Sequence, residues 1–112
     1  MEIMNIEMGI VLILLNNKMG DLTICVLNER EEPLRGIKVK FEYIGRVLDG
    51  NRFIDTCEGW GGETYTNHKG DAYFKGCKDQ GLIKIYLNNR FVERDHYRSG
   101  GTIKIIKGRR RE

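Results

Sequence analysis

Residues 37–43 carry the most restrictive pattern in this sequence. Four apolar residues, Ile37, Val39, Phe41 and Tyr43, alternate there with Lys38, Lys40 and Glu42. This period of two is typical of a β-strand with one buried side, because successive side chains point to opposite faces of a sheet. Antiparallel sheets packed face to face contain such strands, whereas parallel strands covered on both faces are continuously apolar. The segment therefore predicts one strand of a β-sandwich.

Other short extended segments recur along the chain at a spacing of about ten residues. They are residues 9–15, 21–27, 53–57, 64–66, 72–74, 82–87, 90–93 and 102–107, which are rich in β-branched and aromatic side chains. No stretch with the apolar period of about 3.6 residues is long enough for a helix. We therefore predict an all-β fold, a single Ig-like or prealbumin-like antiparallel β-sandwich of about seven to nine strands of Greek-key type.

Turn residues separate these segments. Within Thr64–Gly76, the sequence Asn67-His68-Lys69-Gly70 predicts a turn, so the whole stretch is either a β-hairpin or a corner between strands. Asn88-Asn89 has the residue types of a two-residue hairpin loop, because Asn tolerates positive φ. The charged stretch Glu29–Gly36 is a further turn, residues 45–52 are a turn-rich connection, residues 58–63 are a flexible loop around Trp60, and Arg94–Gly101 is predicted as a polar loop.

The charge of the chain is unevenly distributed. The formal net charge is +3, yet residues 1–106 contain fifteen basic and fifteen acidic side chains, so the excess lies at the C-terminal end. We divide the chain into an N-terminal extension that can supply an extra strand (1–18), a β-sandwich domain (19–107) and a basic disordered tail (108–112).

No targeting or membrane segment is recognised. The apolar run Gly9–Leu15 is shorter than the ~20 residues needed to cross a bilayer and lacks the flanks of a signal peptide. No Asn-x-Ser/Thr sequon occurs, which favours an intracellular or prokaryotic setting. Together with the absence of a recognised signal peptide or membrane span, this leads us to expect a cytoplasmic location. The three cysteines, Cys25, Cys57 and Cys77, are expected to be mostly reduced, although a Cys57–Cys77 bridge is an alternative.

Several short motifs resemble a known group of domains. They are Leu27-Asn28 before a charged turn, Pro33-Leu34-x-Gly36-Ile37-x-Val39, Thr66-Asn67-x-x-Gly70-x-Ala72-x-Phe74, and Gly81-x-Ile83-x-Ile85-Tyr86-Leu87-Asn88. This order resembles the carboxypeptidase regulatory-like domains and the related transthyretin-like and collagen-adhesin B-type sandwiches, over residues 21–107. The resemblance implies a mostly non-catalytic module that stabilises, spaces or presents other domains.

Two chemically active variants of these groups differ from this chain. The transthyretin-like hydrolases use a histidine in their first strand, and this sequence has Cys25 at that position. They also end with Tyr-Arg-Gly-Ser, whereas this chain has the permuted sequence Tyr97-Arg98-Ser99-Gly100 at an internal position. Adhesin modules with an isopeptide bond place Lys on the first strand and Asn or Asp on the last. Asp21–Asn28 has no Lys, and Thr102–Lys107 has no Asn or Asp.

Candidate acid–base chemistry is confined to His68 and His96, which have Asp71 and Asp95 nearby in sequence. Both histidines fall in predicted loops, where exposed, non-catalytic side chains are expected. A zinc set of Cys57, His68, Cys77 and His96 has suitable ligand types without the spacing of ligand pairs. We therefore predict no catalytic residue, no metal and no cofactor.

Candidate binding residues are Trp60, His68, His96, Tyr97, Arg98, Arg109, Arg110 and Arg111. Trp60 stands between glycines in a predicted loop, where it is either a surface anchor or a plug over one end of the core. The three arginines can attract phosphates by charge.

The sequence favours a non-catalytic interaction module that binds another protein, or presents a partner domain, through a sheet edge or through residues 59–63 and 94–101. A nucleic-acid-binding accessory protein is the first alternative, using the basic tail and the Lys38, Lys40 and Lys84 faces. Aromatic residues on a basic sheet would support it, and Tyr43, Tyr73, Phe74 and Tyr86 are the candidates. A small transthyretin-like enzyme or metal-binding protein is the second alternative.

Overall fold

The computed structural model describes residues 19–108, which form seven β-strands. The strands are β1 (Met19–Leu27), β2 (Lys38–Asp49), β3 (Arg52–Tyr65), β4 (Asp71–Lys78), β5 (Gln80–Leu87), β6 (Arg90–Arg98) and β7 (Gly101–Ile106). No helix occurs within these residues, so the all-β prediction is confirmed. The predicted strand at 9–15 and Arg109 to Glu112 of the predicted tail lie outside the described part of the chain.

The strands form two sheets, one of three strands in the order β4-β1-β7 and one of four in the order β3-β2-β5-β6. Neighbouring strands are antiparallel except for β1 and β7, which run parallel. Only β2–β3 and β5–β6 are hairpins within one sheet, and the other connections of the described chain cross between the sheets. A predominantly antiparallel sandwich is thus confirmed, with one parallel pair that the sequence did not indicate.

The core lies between the two sheets and is centred on Phe41. Its ring meets Phe74 of the opposite sheet edge-on at a centroid distance of 4.8 Å, and Tyr43 at 5.4 Å. The inward residues of β2 alternate as predicted from the sequence, since Val39 and Phe41 are fully buried. Aromatic pairs of this geometry add about 0.5–1.5 kcal/mol each beyond the burial of their area.

The glycines around Trp60 belong to a strand, so the predicted loop at 58–63 is wrong. β3 bulges at Gly61, where the register with β2 shifts between Phe41 and Glu42. An added Cβ at Gly61 would overlap the Phe41 ring, and one at Gly62 would approach Phe74 Cδ1 to 2.8 Å. The missing side chains therefore let β3 pass close over the core, and the bulge turns Trp60 outward. Trp60 is 55% exposed, so the alternative of a plug over the core is also wrong.

The β2–β3 hairpin is longer than the sequence indicated. β2 pairs with β5 only from Val39 to Tyr43, but its pairing with β3 continues to Asp49 and Arg52. Residues 44–57 therefore form a two-stranded ribbon beyond the rest of the sheet. Only residues 50 and 51 of the predicted turn at 45–52 form a turn, because β2 ends at Asp49 and β3 begins at Arg52. The predicted short strand from Phe53 to Cys57 is one part of a 14-residue strand.

The stretch from Thr64 to Gly76 is a corner between the sheets, since β3 and β4 belong to different ones. The Asn67 side-chain carbonyl accepts hydrogen bonds from the backbone N–H groups of Lys69 (2.9 Å) and Asp71 (3.1 Å), and Gly70 adopts a φ of +79°. The hairpin turn at Asn88-Asn89 is confirmed by φ values of 48° and 69°. Asn therefore serves as turn chemistry in both places.

The second half of β6 replaces the predicted loop at 94–101. Arg94 to Arg98 pair with β5, and only Ser99 and Gly100 connect β6 to β7.

The predicted alternative of a Cys57–Cys77 disulfide is wrong, since all three cysteines are free thiols. Cys57 is exposed on the four-stranded sheet, whereas Cys77 is buried in the other sheet. Within residues 19–108, no helix has the length and apolar character needed to span a membrane.

Candidate interaction surface

The structure separates the residues that the sequence singled out. Trp60, His96 and Arg98 lie on the outer face, by which we mean the side of the four-stranded sheet turned away from the core. Tyr97 points the other way, and its side chain is buried. Its hydroxyl donates to the Lys78 backbone carbonyl at 2.6 Å. Arg109, Arg110 and Arg111 lie outside the described residues.

The two histidines are not brought together. His68 is exposed in the β3–β4 turn, whose Gly70 carbonyl accepts from the N–H of Val26 near one end of β1. His96 is exposed on β6, which ends at the opposite end of β1. A rise of ~3.3 Å per residue separates these ends by roughly 16 Å. Among residues 19–108, no group of three His, Cys, Asp or Glu residues is placed to hold a metal ion.

Three aromatic rings form a cluster on the outer face, defined here as Trp60 of β3, Tyr86 of β5 and Phe91 of β6. Tyr86 lies between the other two, with ring centroids 5.5 Å from Trp60 and 5.9 Å from Phe91. Trp60 and Phe91 are 55% and 53% exposed. The aromatic cluster thus crosses the sheet from one edge strand to the other and offers apolar surface to a partner.

Glu42 lies beneath this cluster and fixes its centre. It is only 8% exposed although it points to the outer face, where its neighbours across the sheet are Trp60 and Lys84. The Tyr86 hydroxyl donates to Glu42 Oε1, and the Cys57 thiol donates to Oε2 at 3.0 Å. Both carboxylate oxygens therefore have donors, as a buried charge requires.

The hydrogen bonds change the acidity of the groups involved. Burial alone would raise the pKa of Glu42, but the donors Tyr86 and Cys57 and the nearby lysines hold that pKa below its usual value. The hydrogen bond to Glu42, together with burial, raises the pKa of Tyr86 to about 12. The same carboxylate raises the pKa of the Cys57 thiol. At neutral pH the centre is therefore an ionised carboxylate with a neutral phenol and a neutral thiol.

Two lysines of the outer face contact the rings. Lys40 Nζ lies 3.8 Å from the centroid of the Trp60 ring, and Lys84 Nζ lies 5.9 Å from that of Phe91. Cation–π contacts at exposed sites contribute about 0.5–1 kcal/mol. The two ammonium groups thus stay near the apolar surface, where an incoming anion can reach them.

The outer face is more basic than the rest of the described chain. Strand alternation places six basic residues and three acidic residues on it. These are Lys38, Lys40, Arg46, Lys84, Arg94 and Arg98 against Glu42, Asp55 and Glu63. The remaining residues between 19 and 108 contain nine basic and ten acidic side chains. The positive charge of the described chain is therefore concentrated on one side.

An ion pair connects the two edges of this face. Arg94 of β6 donates to both carboxylate oxygens of Asp55 in the β2–β3 ribbon, at 2.8 and 3.0 Å. In a flat sheet, β3 and β6 would be about 14 Å apart, since each inter-strand spacing is ~4.8 Å. The contact therefore requires the ribbon to lean over the outer face. The Arg94 hydrogen bonds also lower the pKa of Asp55.

A depression lies between β5 and β6, near the end of β6 that leads to β7. Gln80, Gly81, Leu82, His96, Tyr97 and Arg98 line it. His96 and Arg98 therefore lie on the outer face but line a different part of it from Trp60, Tyr86 and Phe91.

Sequence reasoning identified Trp60, and it named Lys40 and Tyr86 only for the nucleic-acid alternative and Arg94 only as part of a predicted loop. It missed Glu42, Asp55 and Phe91. Part of the signal was present, because the alternation of residues 37–43 already places Lys40 and Glu42 on one face. The two glycines after Trp60 were a second signal, since glycine inside a strand often marks a bulge. The pairing of β3 with β2 was needed to combine them.

Comparisons with known proteins assign no family to this chain. No family model matches the chain, and no curated protein matches it. Among solved structures it is similar to the Bacillus anthracis TIE protein, with a TM-score of 0.49 and 15% sequence identity over 79% of this chain. The chain spans 16% of the length of that protein. The properties of the outer face therefore rest on its own geometry.

Proposed function

We propose that this protein is a non-catalytic β-sandwich module that binds another protein through the aromatic cluster on the outer face. The exposure of Trp60 and Phe91 on either side of Tyr86 is the observation that carries the proposal. Aromatic residues are enriched where protein interfaces concentrate their binding energy. The two segments expected from the sequence to contact a partner, 59–63 and 94–101, both include parts of the edge strands of this sheet.

The rigidity of the cluster supports a binding role. Glu42 holds Tyr86 by a charge-assisted hydrogen bond, and Tyr86 packs against both exposed rings. A surface ordered before it meets its partner loses less conformational entropy on binding. The same network explains why a carboxylate is buried on an outer face: it orients an aromatic side chain there.

Affinity capture with matched variants tests the proposal. Bait proteins carrying Trp60→Ala or Phe91→Ala should lose the partners that the unchanged protein captures from nuclease-treated native lysate. Tyr73→Ala is the control, because Tyr73 is also 55% exposed but lies on the three-stranded sheet. Circular dichroism of each variant verifies folding. The proposal fails if all baits capture the same proteins, or if Tyr73→Ala is as damaging as Trp60→Ala.

Nucleic-acid binding is the second candidate function. It is favoured by the placement of Lys38, Lys40 and Lys84 on the same face as the aromatic cluster. Of the aromatic candidates named from the sequence, Tyr43 and Phe74 are buried and Tyr73 lies on the other sheet, which leaves Tyr86. Single-stranded nucleic acid stacks on such rings next to a basic surface.

Salt dependence tests this candidate. Fluorescence anisotropy of a labelled oligothymidylate should show affinity that falls steeply with salt and weakens when the chain is ended at Lys107. A triple variant with glutamine at Lys38, Lys40 and Lys84 should weaken it further. Unchanged affinity after both changes would exclude nucleic-acid binding by these groups.

A further inference from the structure

We infer that the partner of the outer face is an acidic peptide segment that also carries an apolar or aromatic side chain. The inference rests on the proposed function and names the chemistry of the partner. It follows from two properties of one surface, the exposed rings and the excess of positive charge.

The charge distribution selects an acidic partner. The outer face carries six basic side chains and three carboxylates, whereas the rest of the described chain has nearly equal numbers of basic and acidic side chains. One of those carboxylates, Glu42, is buried under the rings with both oxygens hydrogen-bonded to Tyr86 and Cys57, so it keeps its charge but offers no free acceptor to a partner. Electrostatic complementarity of this kind sets partner choice and association rate.

The positions of Lys40 and Lys84 identify the groups that would meet the acidic side chains. Within residues 19–108, neither ammonium lies within 4.0 Å of a carboxylate oxygen, whereas Lys38 is paired with Glu63 and Arg94 with Asp55. Each lies instead near an exposed ring. A carboxylate of the partner can draw each ammonium into an ion pair, which uncovers the Trp60 or Phe91 ring for an apolar side chain.

The acidic residues at the edge of the face favour a peptide over nucleic acid. Glu63 and Asp55 both lie on β3, on either side of Trp60 along the strand. A nucleic-acid backbone crossing Trp60 along this edge carries a charge on every nucleotide and would pass these carboxylates. A peptide can place its few carboxylates opposite Lys40 and Lys84 alone. Glu63 and Asp55 then act against partners with continuous negative charge.

Intrinsic fluorescence provides a direct readout, because Trp60 is the only tryptophan of the chain. The full-length protein is titrated with a synthetic peptide of glutamate, glycine and phenylalanine, which contributes no tryptophan emission. Two matched peptides replace glutamate by glutamine, or phenylalanine by alanine, and an oligothymidylate is the fourth probe. We expect the glutamate–phenylalanine peptide to change the Trp60 emission at the lowest concentration, with both matched peptides roughly tenfold weaker or more.

Protein variants separate the charge from the apolar contact. Lys40→Gln combined with Lys84→Gln should weaken the glutamate–phenylalanine peptide roughly tenfold and reduce the salt dependence of its binding. Lys69→Gln combined with Lys75→Gln removes the same charge from exposed positions outside the four-stranded sheet and should leave the affinity unchanged.

The outcomes distinguish this inference from the proposed function. If Trp60→Ala abolishes partner capture but the Lys40/Lys84 variant binds the peptide like the unchanged protein, the acidic partner is wrong and the interaction surface stands. Equal affinity for the glutamine peptide would also overturn the inference, and so would tighter binding of oligothymidylate. If partner capture does not require Trp60 and Phe91, the proposed function itself is wrong, and the inference that depends on it is wrong as well.

Discussion

At the scale of single residues, Glu42 shows how a buried charge can organise an exposed surface. The carboxylate is shielded by the side chains it holds, with Tyr86 and Cys57 as its two hydrogen-bond donors. Removing one partner of a buried hydrogen bond costs about 1–3 kcal/mol, because the other group is left without a partner. Glu42 is therefore both a stability determinant and the anchor of the aromatic cluster.

Glu42→Gln should lower the free energy of unfolding by about 1–3 kcal/mol at neutral pH, because an amide offers one acceptor where two are used. The pKa of Glu42 is lower in the folded protein than its usual value. Its contribution is therefore complete above about pH 4.3, the usual value in an unfolded chain, and is lost as the pH falls through the folded pKa. Urea unfolding across this range checks both effects.

The pH dependence of stability tests whether the ionised form of Glu42 is the stabilising one. The difference in stability between the unchanged protein and Glu42→Gln should shrink as the solution is acidified. A difference that stays constant or grows on acidification would show that the ionised carboxylate is not the stabilising form.

Gly61→Ala tests the close approach of β3 to the core. The added methyl group would meet the Phe41 ring, and overpacking of this kind costs about 1–3 kcal/mol. Gly81→Ala is the matched control, because it is also a strand glycine and its added Cβ would lie no closer than 3.5 Å to Tyr43 Cδ1. Thermal unfolding should show a lower Tm for Gly61→Ala alone. Equal decreases in Tm for the two variants would show that the contact between residue 61 and the Phe41 ring does not account for the loss of stability.

At the scale of elements, the β2–β3 ribbon is the part of the fold with the least support. Leu48 and Phe53 are a cross-strand pair near its tip and are 65% and 61% exposed. A two-stranded ribbon in water is marginally stable without further packing. The Asp55–Arg94 pair is the contact that holds the ribbon to the outer face.

Asp55→Asn should loosen the ribbon while leaving the sandwich intact. The amide keeps the size of the side chain but loses the charge that accepts both Arg94 hydrogen bonds. Backbone amides of residues 44–57 should exchange with solvent severalfold faster, as measured by hydrogen–deuterium exchange. Glu63→Gln is the control, since it removes another β3 carboxylate that is paired with a lysine at 3.4 Å. Equal exchange rates in both variants would show that the Asp55–Arg94 ion pair does not stabilise the ribbon.

At the scale of the whole molecule, the two sheets differ in what they present to solvent. The outer face of the four-stranded sheet carries the aromatic cluster and the excess positive charge, and both sheets contribute buried residues to the core of the described chain. Because both sheets contribute to that core, we propose that these residues form one cooperative folding unit.

A chain restricted to residues 19–108 should therefore fold alone. Urea unfolding monitored by circular dichroism and by Trp60 fluorescence should give one coincident transition, close to that of the full-length protein. Two separate transitions would contradict a single cooperative unit. A shorter chain that is unfolded in buffer would show that residues 1–18 or 109–112 are needed for stability.

The sequence by itself determined the elements and their chemistry. The period of two fixed the buried side of β2, and Asn67, Gly70, Asn88 and Asn89 fixed two turns, because alternation and positive φ depend on local geometry alone. These local rules also placed most of the strands that form the core, but they assigned loops to residues 58–63 of β3 and 94–98 of β6. They could not distinguish a glycine that gives flexibility from one that makes room for a ring in another strand.

Only the tertiary structure decided which side chains meet. Trp60, Tyr86 and Phe91 come from three strands, and their proximity depends on the order β3-β2-β5-β6 and on the register shifts in the β2–β3 and β5–β6 pairings. The burial of Glu42 and the inward direction of Tyr97 depend on the same register. Strand order and register are set by the packing of the whole chain, and a shift of one residue reverses every side chain of a strand. Most of the strands could therefore be predicted from the sequence, whereas their full lengths and the surface they form could not.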